Sequence, residues 1–383
     1  MPDRRSLRNL ARSTRMLLIG AASLSVAPAW AAPDGAFSPD GWRLALPGHV
    51  FRFPRDHAAH PDHRTEWWYT TGHLAGVDGQ EWGFQLTCFR AGLRRELPRP
   101  GLRWDARDVQ FGHFTLTDHR AGTFQVAERR ARSVPGLAHA RSDRYDVRQQ
   151  DWSMRLVGDR HLLVAGEGDT RLELDLRPAK PPVVHGVDGV SAKSAGHGQA
   201  SHYVSFSRLL GTGVLSRGQQ RQRVKVQAWM DHEWGSNQMA SDEVGWDWFS
   251  LQLDDGQEAM FYLLRRADGS VVPQSSGTWI DRSGHARHLN LADFRVRPTS
   301  RWTSPHTGAT YPAGWQIAVP GEATEFTITP RLADQELVTT ASTGVAYWEG
   351  AVSVTSRRPG RPDVTGKGYV ELTGYDRTRR PRI

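Results

Sequence analysis

The feature that most restricts what this chain can fold into is the spacing of its turns. Short runs of alternating apolar and polar residues recur along its length, cut by Gly, Asp and Asn. No long stretch repeats with a helical period. Runs at 66–74 and 81–90 flank Val77-Asp78-Gly79-Gln80, and runs at 248–253 and 258–265 flank Asp254-Asp255-Gly256-Gln257. An Asp-Gly pair between two such runs is a hairpin signal. Similar runs cover 111–117, 123–128, 160–165, 171–176, 223–229, 315–319, 325–329, 350–356 and 368–372. This pattern predicts an all-β protein built of sandwiches or barrels.

The two hairpins also resemble each other. Trp67-Trp68-Tyr69, Asp78-Gly79-Gln80-Glu81 and Phe84-Gln85-Leu86 recur as Trp246-Asp247-Trp248-Phe249, Asp255-Gly256-Gln257-Glu258 and Phe261-Tyr262-Leu263, the Asp-Gly-Gln-Glu motif being displaced by 177 residues. A duplicated β domain explains the repeat. The expected organisation is an N-terminal domain over 32–222 and a C-terminal domain over 223–383, with 219–222 as linker. The Gly/Ser/Lys-rich stretch 186–198 is expected to be a long mobile loop or lid within the first domain.

Residues 1–31 read as a cleaved signal peptide. Arg4, Arg5, Arg8, Arg12 and Arg15 precede an apolar run from Met16 to Ala27 and an Ala29-Trp30-Ala31 cleavage motif. The run is too short to span a membrane, and Arg4-Arg5 fits either of two export routes. Export to the periplasm or beyond is therefore expected. Without the leader the net charge falls from +8 to +4. No basic run with interleaved aromatics is present, so no nucleic-acid partner is expected. The lone Cys88 excludes an intrachain disulfide framework and Cys-based metal clusters.

Two segments concentrate chemistry. In Trp229-Met230-Asp231-His232-Glu233-Trp234 a strand places His232 and Trp234 on one face, Asp231 and Glu233 on the other. An imidazole held near carboxylates can act as an acid, and an indole face can shelter a developing cation. In the second segment Glu66 precedes Trp67, Trp68 and Tyr69, and a carboxyl entering an apolar pocket stays protonated more readily. His57, His60 and His63 lie three residues apart, but Pro61 opposes the helix that would align them on one ion. No metal ligands and no cofactor are assigned. A meeting of His60, His63 and Asp231 or His232 in space stays open, and with it a metal-assisted hydrolase. Ser205 and Ser250 have no local activating group, and nucleophile-elbow, zinc-protease, phosphate-loop and dinucleotide motifs are absent.

Glu66-Trp67-Trp68-Tyr69 with Gly72-His73, Gly83-Phe84-Gln85, 203–209 and Trp229–Gly235 together resemble the AttH family of secreted proteins, related to bacterial carotenoid 1,2-hydratases. The resemblance spans about residues 50 to 375. It implies two tandem lipocalin-like (calycin) β-barrels and a hydrophobic lipid, terpenoid or polyene-like ligand. It also implies a His-x-Trp pair acting with a Tyr-x-Asp pair. His232 and Trp234 match the first; Tyr262 matches half of the second, with Leu264 where Asp is needed. Asp247, Glu233 and Glu66 are candidate substitutes.

Two functions follow as expectations. One is acid-initiated hydration of an alkene, with His232, Glu66, Glu233 and Tyr262 on the proton path and Trp234 beside them. Trp67, Trp68, Tyr69, Trp229, Trp246 and Trp248 would then wall one ligand cavity near the domain junction. The other is a non-catalytic carrier of a hydrophobic ligand, which the resemblance links to an ABC export system.

Overall fold

Period-two alternation makes strands, and strands with two apolar faces must be covered on both sides. A computed structural model describes residues 35–96 and 105–379; the expected leader lies outside them. The first sheet contains β1 (Thr65–Gly76), β2 (Glu81–Gly92), β3 (Asp108–Asp118), β4 (Thr123–Arg132), β5 (Ala138–Ala140), β6 (Asp146–Gln149), β7 (Trp152–Val157), β8 (Arg160–Glu167) and β9 (Thr170–Pro178). It continues with β10 (Val183–Val184), β11 (Ser191–Ala192), β12 (Ala200–Arg217) and β13 (Gln220–Gly235). The second contains β14 (Glu243–Leu253), β15 (Glu258–Arg266), β16 (Ser276–Ile280), β17 (Ala286–Asn290) and β18 (Arg295–Pro298). After the separate hairpin of β19 (Arg301–Thr303) and β20 (Thr310–Pro312) it resumes with β21 (Trp315–Val319), β22 (Thr324–Pro330), β23 (Glu336–Val338), β24 (Ala346–Arg357) and β25 (Val364–Thr373). Among the described residues the only helices are three single 3-10 turns, and none is long and apolar enough to cross a membrane.

The strand orders match. The path β4-β3-β2-β1-β13-β12-β9-β8-β7 in one sheet corresponds, strand for strand, to β17-β16-β15-β14-β25-β24-β22-β21-β18 in the other. The paired Asp-Gly hairpins join β1 to β2 and β14 to β15, each with its glycine at positive φ (Gly79 +77°, Gly256 +84°). Both sheets curl. Gln149 on β6 donates to the Gln110 carbonyl on β3 at 2.9 Å, drawing the far edge back across the first sheet. In the second sheet the two outer strands, β17 and β18, are consecutive in the chain. Phe294 between them is buried, its ring 4.9 Å from that of Phe261. The result is two sheets in barrel and half-barrel arrangements, consistent with tandem calycin-like units.

Each sheet has its own interior. Trp68, Trp82, Phe84, Phe114, Trp152 and Phe206 fill the first; Phe249, Phe261, Trp279, Trp315, Phe326 and Trp348 fill the second. A third apolar layer, with Tyr69, Tyr203, Trp229, Trp248, Tyr262 and Tyr369, lies where the sheets pack face to face. Position 222/223, the division expected from sequence, falls within β13, which pairs along its length with β12 and over most of it with β1. The change of sheet comes after Gly235, in the short connection to β14. The stretch 186–198 is not an open loop throughout: it carries β11, which pairs with β12 and carries the chain back over the interface. Cys88 is a buried member of the first core, and burial pushes its thiol up to about 12.

Charged groups also lock the sheets together. Glu258 on β15 is fully buried and takes Lys180 on one oxygen and Arg208 Nε, at 2.6 Å, on the other. Removing one member of a buried ion group leaves uncompensated charge behind. Glu258→Ala should therefore lose about 3–5 kcal/mol of stability, seen as a lower midpoint in urea unfolding.

Candidate functional site

The alternation of β13 divides the expected site residues between two places. His232 and Trp234 point into the first barrel, where β1 brings Glu66 and Trp68. Asp231 and Glu233 point the other way, into the layer between the sheets, with Trp67, Tyr69, Trp229, Trp246, Trp248 and Tyr262. The expected wall is thus divided: residue parity puts Trp68, with Trp234, behind the sheet and Trp67, Tyr69, Trp229, Trp246 and Trp248 in front of it.

Inside the barrel, fully buried Glu66 organises a polar network. Its Oε1 lies 2.9 Å from both His232 Nε2 and His60 Nδ1, and the His60 backbone N–H donates to both oxygens at 3.0 Å. Arg90 Nε donates to Oε2 at 3.0 Å and reaches Asp108 through Nη1 at 2.9 Å. Burial opposes the Glu66 charge, yet His232, His60 and Arg90 hold its carboxyl well below the usual range. Burial likewise opposes a charge on His60, but Asp56 and Glu66 raise it; on His232 burial prevails over Glu66 and lowers it. Indoles fix both rings: His60 stacks on Trp234 at 3.8 Å and 3°, and His232 on Trp68 at 4.7 Å and 17°. No helix aligns the three early histidines. Tertiary packing joins His60 to Glu66 and His232, while burial pushes His57 down to about 3 and His63 to about 2.

Between the sheets, carboxyls converge among aromatic rings. Asp231 accepts from Ser205, from Trp229 Nε1 at 2.6 Å and from Tyr203 Oη at 2.7 Å; Trp248 Nε1 donates in turn to Tyr203 Oη at 2.9 Å. Burial pushes the Asp231 carboxyl up to about 7 against those three hydrogen bonds. From the second sheet, Glu349 accepts from Tyr69 and Glu371 from Trp246 Nε1 at 2.7 Å. Burial lifts Glu349 well above the carboxylate range and Glu371 to about 7, with Asp231 adding repulsion at both. Glu371, Trp67 and Trp246 are partly exposed, so this edge of the layer meets solvent. Glu233 accepts from Ser201 and pairs with Lys193 at 2.8 Å. The lysine comes from the segment after β11 and sits 4.4 Å over the Tyr262 ring, while Tyr262 Oη donates to the Ala192 carbonyl at 2.8 Å.

The remaining candidates lie elsewhere. Leu264 is buried in the inter-sheet layer. Asp247 points into the second barrel, 2.9 Å from Arg265 Nε and 3.0 Å from Tyr375 Oη. The acid beside His232 is Glu66, and Tyr262 stands across the first sheet from that imidazole.

Residues 14–375 match the family model described as AttH-like. The chain belongs to the AttH-like family. A crystal structure of an AttH-type protein from Nitrosomonas europaea is 35% identical, covers 86% of this chain and 98% of its own, and superposes with a TM-score of 0.78. Kievitone hydratase from Nectria haematococca shares the fold at 13% identity and a TM-score of 0.66, over 88% of this chain and 98% of its own. CghA with Sch210972 is a more distant likeness, at 12% identity and a TM-score of 0.50, over 89% and 97%. No curated protein matches the sequence.

Several groups of this AttH-like site escaped sequence reasoning. Glu349 and Glu371 interrupt apolar strands at Tyr347-Trp348-Glu349 and Tyr369-Val370-Glu371-Leu372, a lone acid in a buried run being the signal that was there to find. His185 was equally missed: its Nε2 lies 2.7 Å from the Ser205 hydroxyl and its Nδ1 2.8 Å from Thr278 Oγ1. Nothing near it in sequence points to either.

Asp231 binds its proton more tightly in the folded chain than in the unfolded one. Its contribution to stability is complete below the ordinary carboxylate range and is lost as pH rises toward about 7. Asp231→Asn should shrink the fall in unfolding free energy between pH 4 and pH 8 by about 2–4 kcal/mol. Chemical denaturation at the two pH values checks this; an unchanged difference would place the Asp231 pKa in the ordinary range.

Proposed function

We propose that this AttH-like protein is an exported binder of a hydrophobic, alkene-bearing ligand, held between its two sheets. We further propose that it hydrates that ligand by acid-initiated addition of water. Family membership supports the hydrophobic-ligand role. The observation that carries the chemistry is Asp231: a buried carboxyl among Tyr203, Trp229 and Trp248, pushed up to about 7, with Glu371 approaching from the other sheet. Kievitone hydratase is a hydratase by name, and it shares this fold.

In this reading Asp231 transfers its proton to one alkene carbon, and the positive charge develops on the other. Indole faces of Trp229 and Trp248 stabilise that charge by about 0.5–2 kcal/mol. Water adds to the cation and gives its spare proton to Glu371, the carboxyl nearer to solvent. Proton return from Glu371 to Asp231 resets the pair. Two carboxyls near neutrality suit the task, since one must begin protonated and the other ionised. Tyr262, Glu233 and Lys193 border the layer, and Trp67 and Trp246 stand at its exposed edge. His232, Trp234 and Glu66 support β13 from behind. The acid that Leu264 fails to supply thus comes from the neighbouring strands.

The aromatic lining by itself also supports a carrier, with an ABC export system as a proposed recipient. Incubation with an acyclic isoprenoid alkene such as squalene in ¹⁸O-water, followed by mass spectrometry, separates the two. Hydration is expected to introduce one ¹⁸O, and Asp231→Asn should slow it by about 10²–10⁴-fold while quenching of tryptophan fluorescence by the ligand persists. Binding without turnover leaves the carrier; neither binding nor turnover across an isoprenoid panel overturns both.

A further inference from the structure

The barrel-interior cluster plays no direct part in that chemistry, yet its geometry is that of a ligand set. His60, Glu66 and His232 come from a loop, from β1 and from β13, and each offers one donor atom, all within 4.8 Å of one another. Both imidazole nitrogens stand 2.9 Å from the same Glu66 oxygen. In a tetrahedral site with donors about 2.0–2.1 Å from the ion, neighbouring donors stand about 3.3 Å apart, so these pairs must widen by about 0.4 Å to admit one. The outer partners are of the kind that orient metal ligands. Asp56 Oδ1 lies 3.4 Å from the other nitrogen of His60, and Arg90 holds Glu66 by its second oxygen. Stacking on Trp234 and Trp68 fixes both rings, so little ordering remains for an ion to impose.

An orphaned neighbour points the same way. His63, only 5% exposed and with its ring 6.3 Å from that of His60, has no hydrogen-bond partner at either nitrogen. Leaving buried polar atoms unpaired is unfavourable, and a ring movement toward the cluster would give one of them an ion to bind.

We propose that His60, Glu66 and His232 form a buried, structural zinc site in the first barrel, with His63 as the fourth donor. The set is borderline in softness, as zinc prefers, and its burial matches the closed coordination of a structural site. Zinc uptake replaces the protons that now lie between the two imidazoles and the carboxylate.

The test is metal analysis of the full chain, purified without a histidine tag, loaded with zinc sulfate and dialysed. About one zinc per chain is expected, with at least a tenfold loss in His60→Gln and no loss in His306→Gln, which alters an exposed histidine. X-ray absorption of the loaded wild-type protein should show a nitrogen/oxygen shell with imidazole scattering, a readout that needs no variant to fold. Zinc at background in the wild type, retention in a folded His60→Gln, or a shell without imidazole would each overturn the site. None of these outcomes bears on Asp231, so the hydration proposal stands or falls separately.

Discussion

The structure depends on burying both faces of β1 and β13. These strands close the first barrel with Trp68, Met230 and His232 and, through the residues between, form the floor on which the second sheet rests. A strand covered on both sides cannot send its polar groups to water. Every charged side chain on it must therefore find a partner inside the protein or change its protonation state. Glu66 takes the first course, ringed by two imidazoles, a guanidinium and a backbone N–H. Asp231, one strand away on the opposite face, has only neutral donors and takes the second.

That contrast separates the roles of two carboxyls that sequence alone treats alike. A carboxylate with cations around it is a fixed negative charge and a good anchor for positive groups. A carboxyl among indoles and phenols keeps its proton near neutral pH and can give it up to a bound molecule. The second sheet reinforces the difference by bringing Glu349 and Glu371 toward Asp231, so that ionising one acid discourages ionising the next.

Much of the frame was legible beforehand. The Asp-Gly turns located both major hairpins, and the 177-residue echo anticipated two sheets of matching strand order. The parity of 231–234 separated His232 and Trp234 from Asp231 and Glu233. What went unread was the consequence of that parity: residues on opposite faces of one strand serve different compartments, so Trp68 could not share a cavity with Trp67, Trp229, Trp246 and Trp248. The boundary after Gly235 also eluded composition, because β13 is the last strand of the first sheet and carries no mark of which sheet it joins.

The sequence by itself determined the class of fold, the hairpins, and which side chains share a face, because alternation and turn chemistry act over a few residues. Only the tertiary structure decided what each face meets. Asp231 lies 118 residues before Glu349 and 140 before Glu371, and Glu66 lies 166 before His232. Burial, partner charge and protonation state arise from those distant encounters, and the chemistry of this protein is set there.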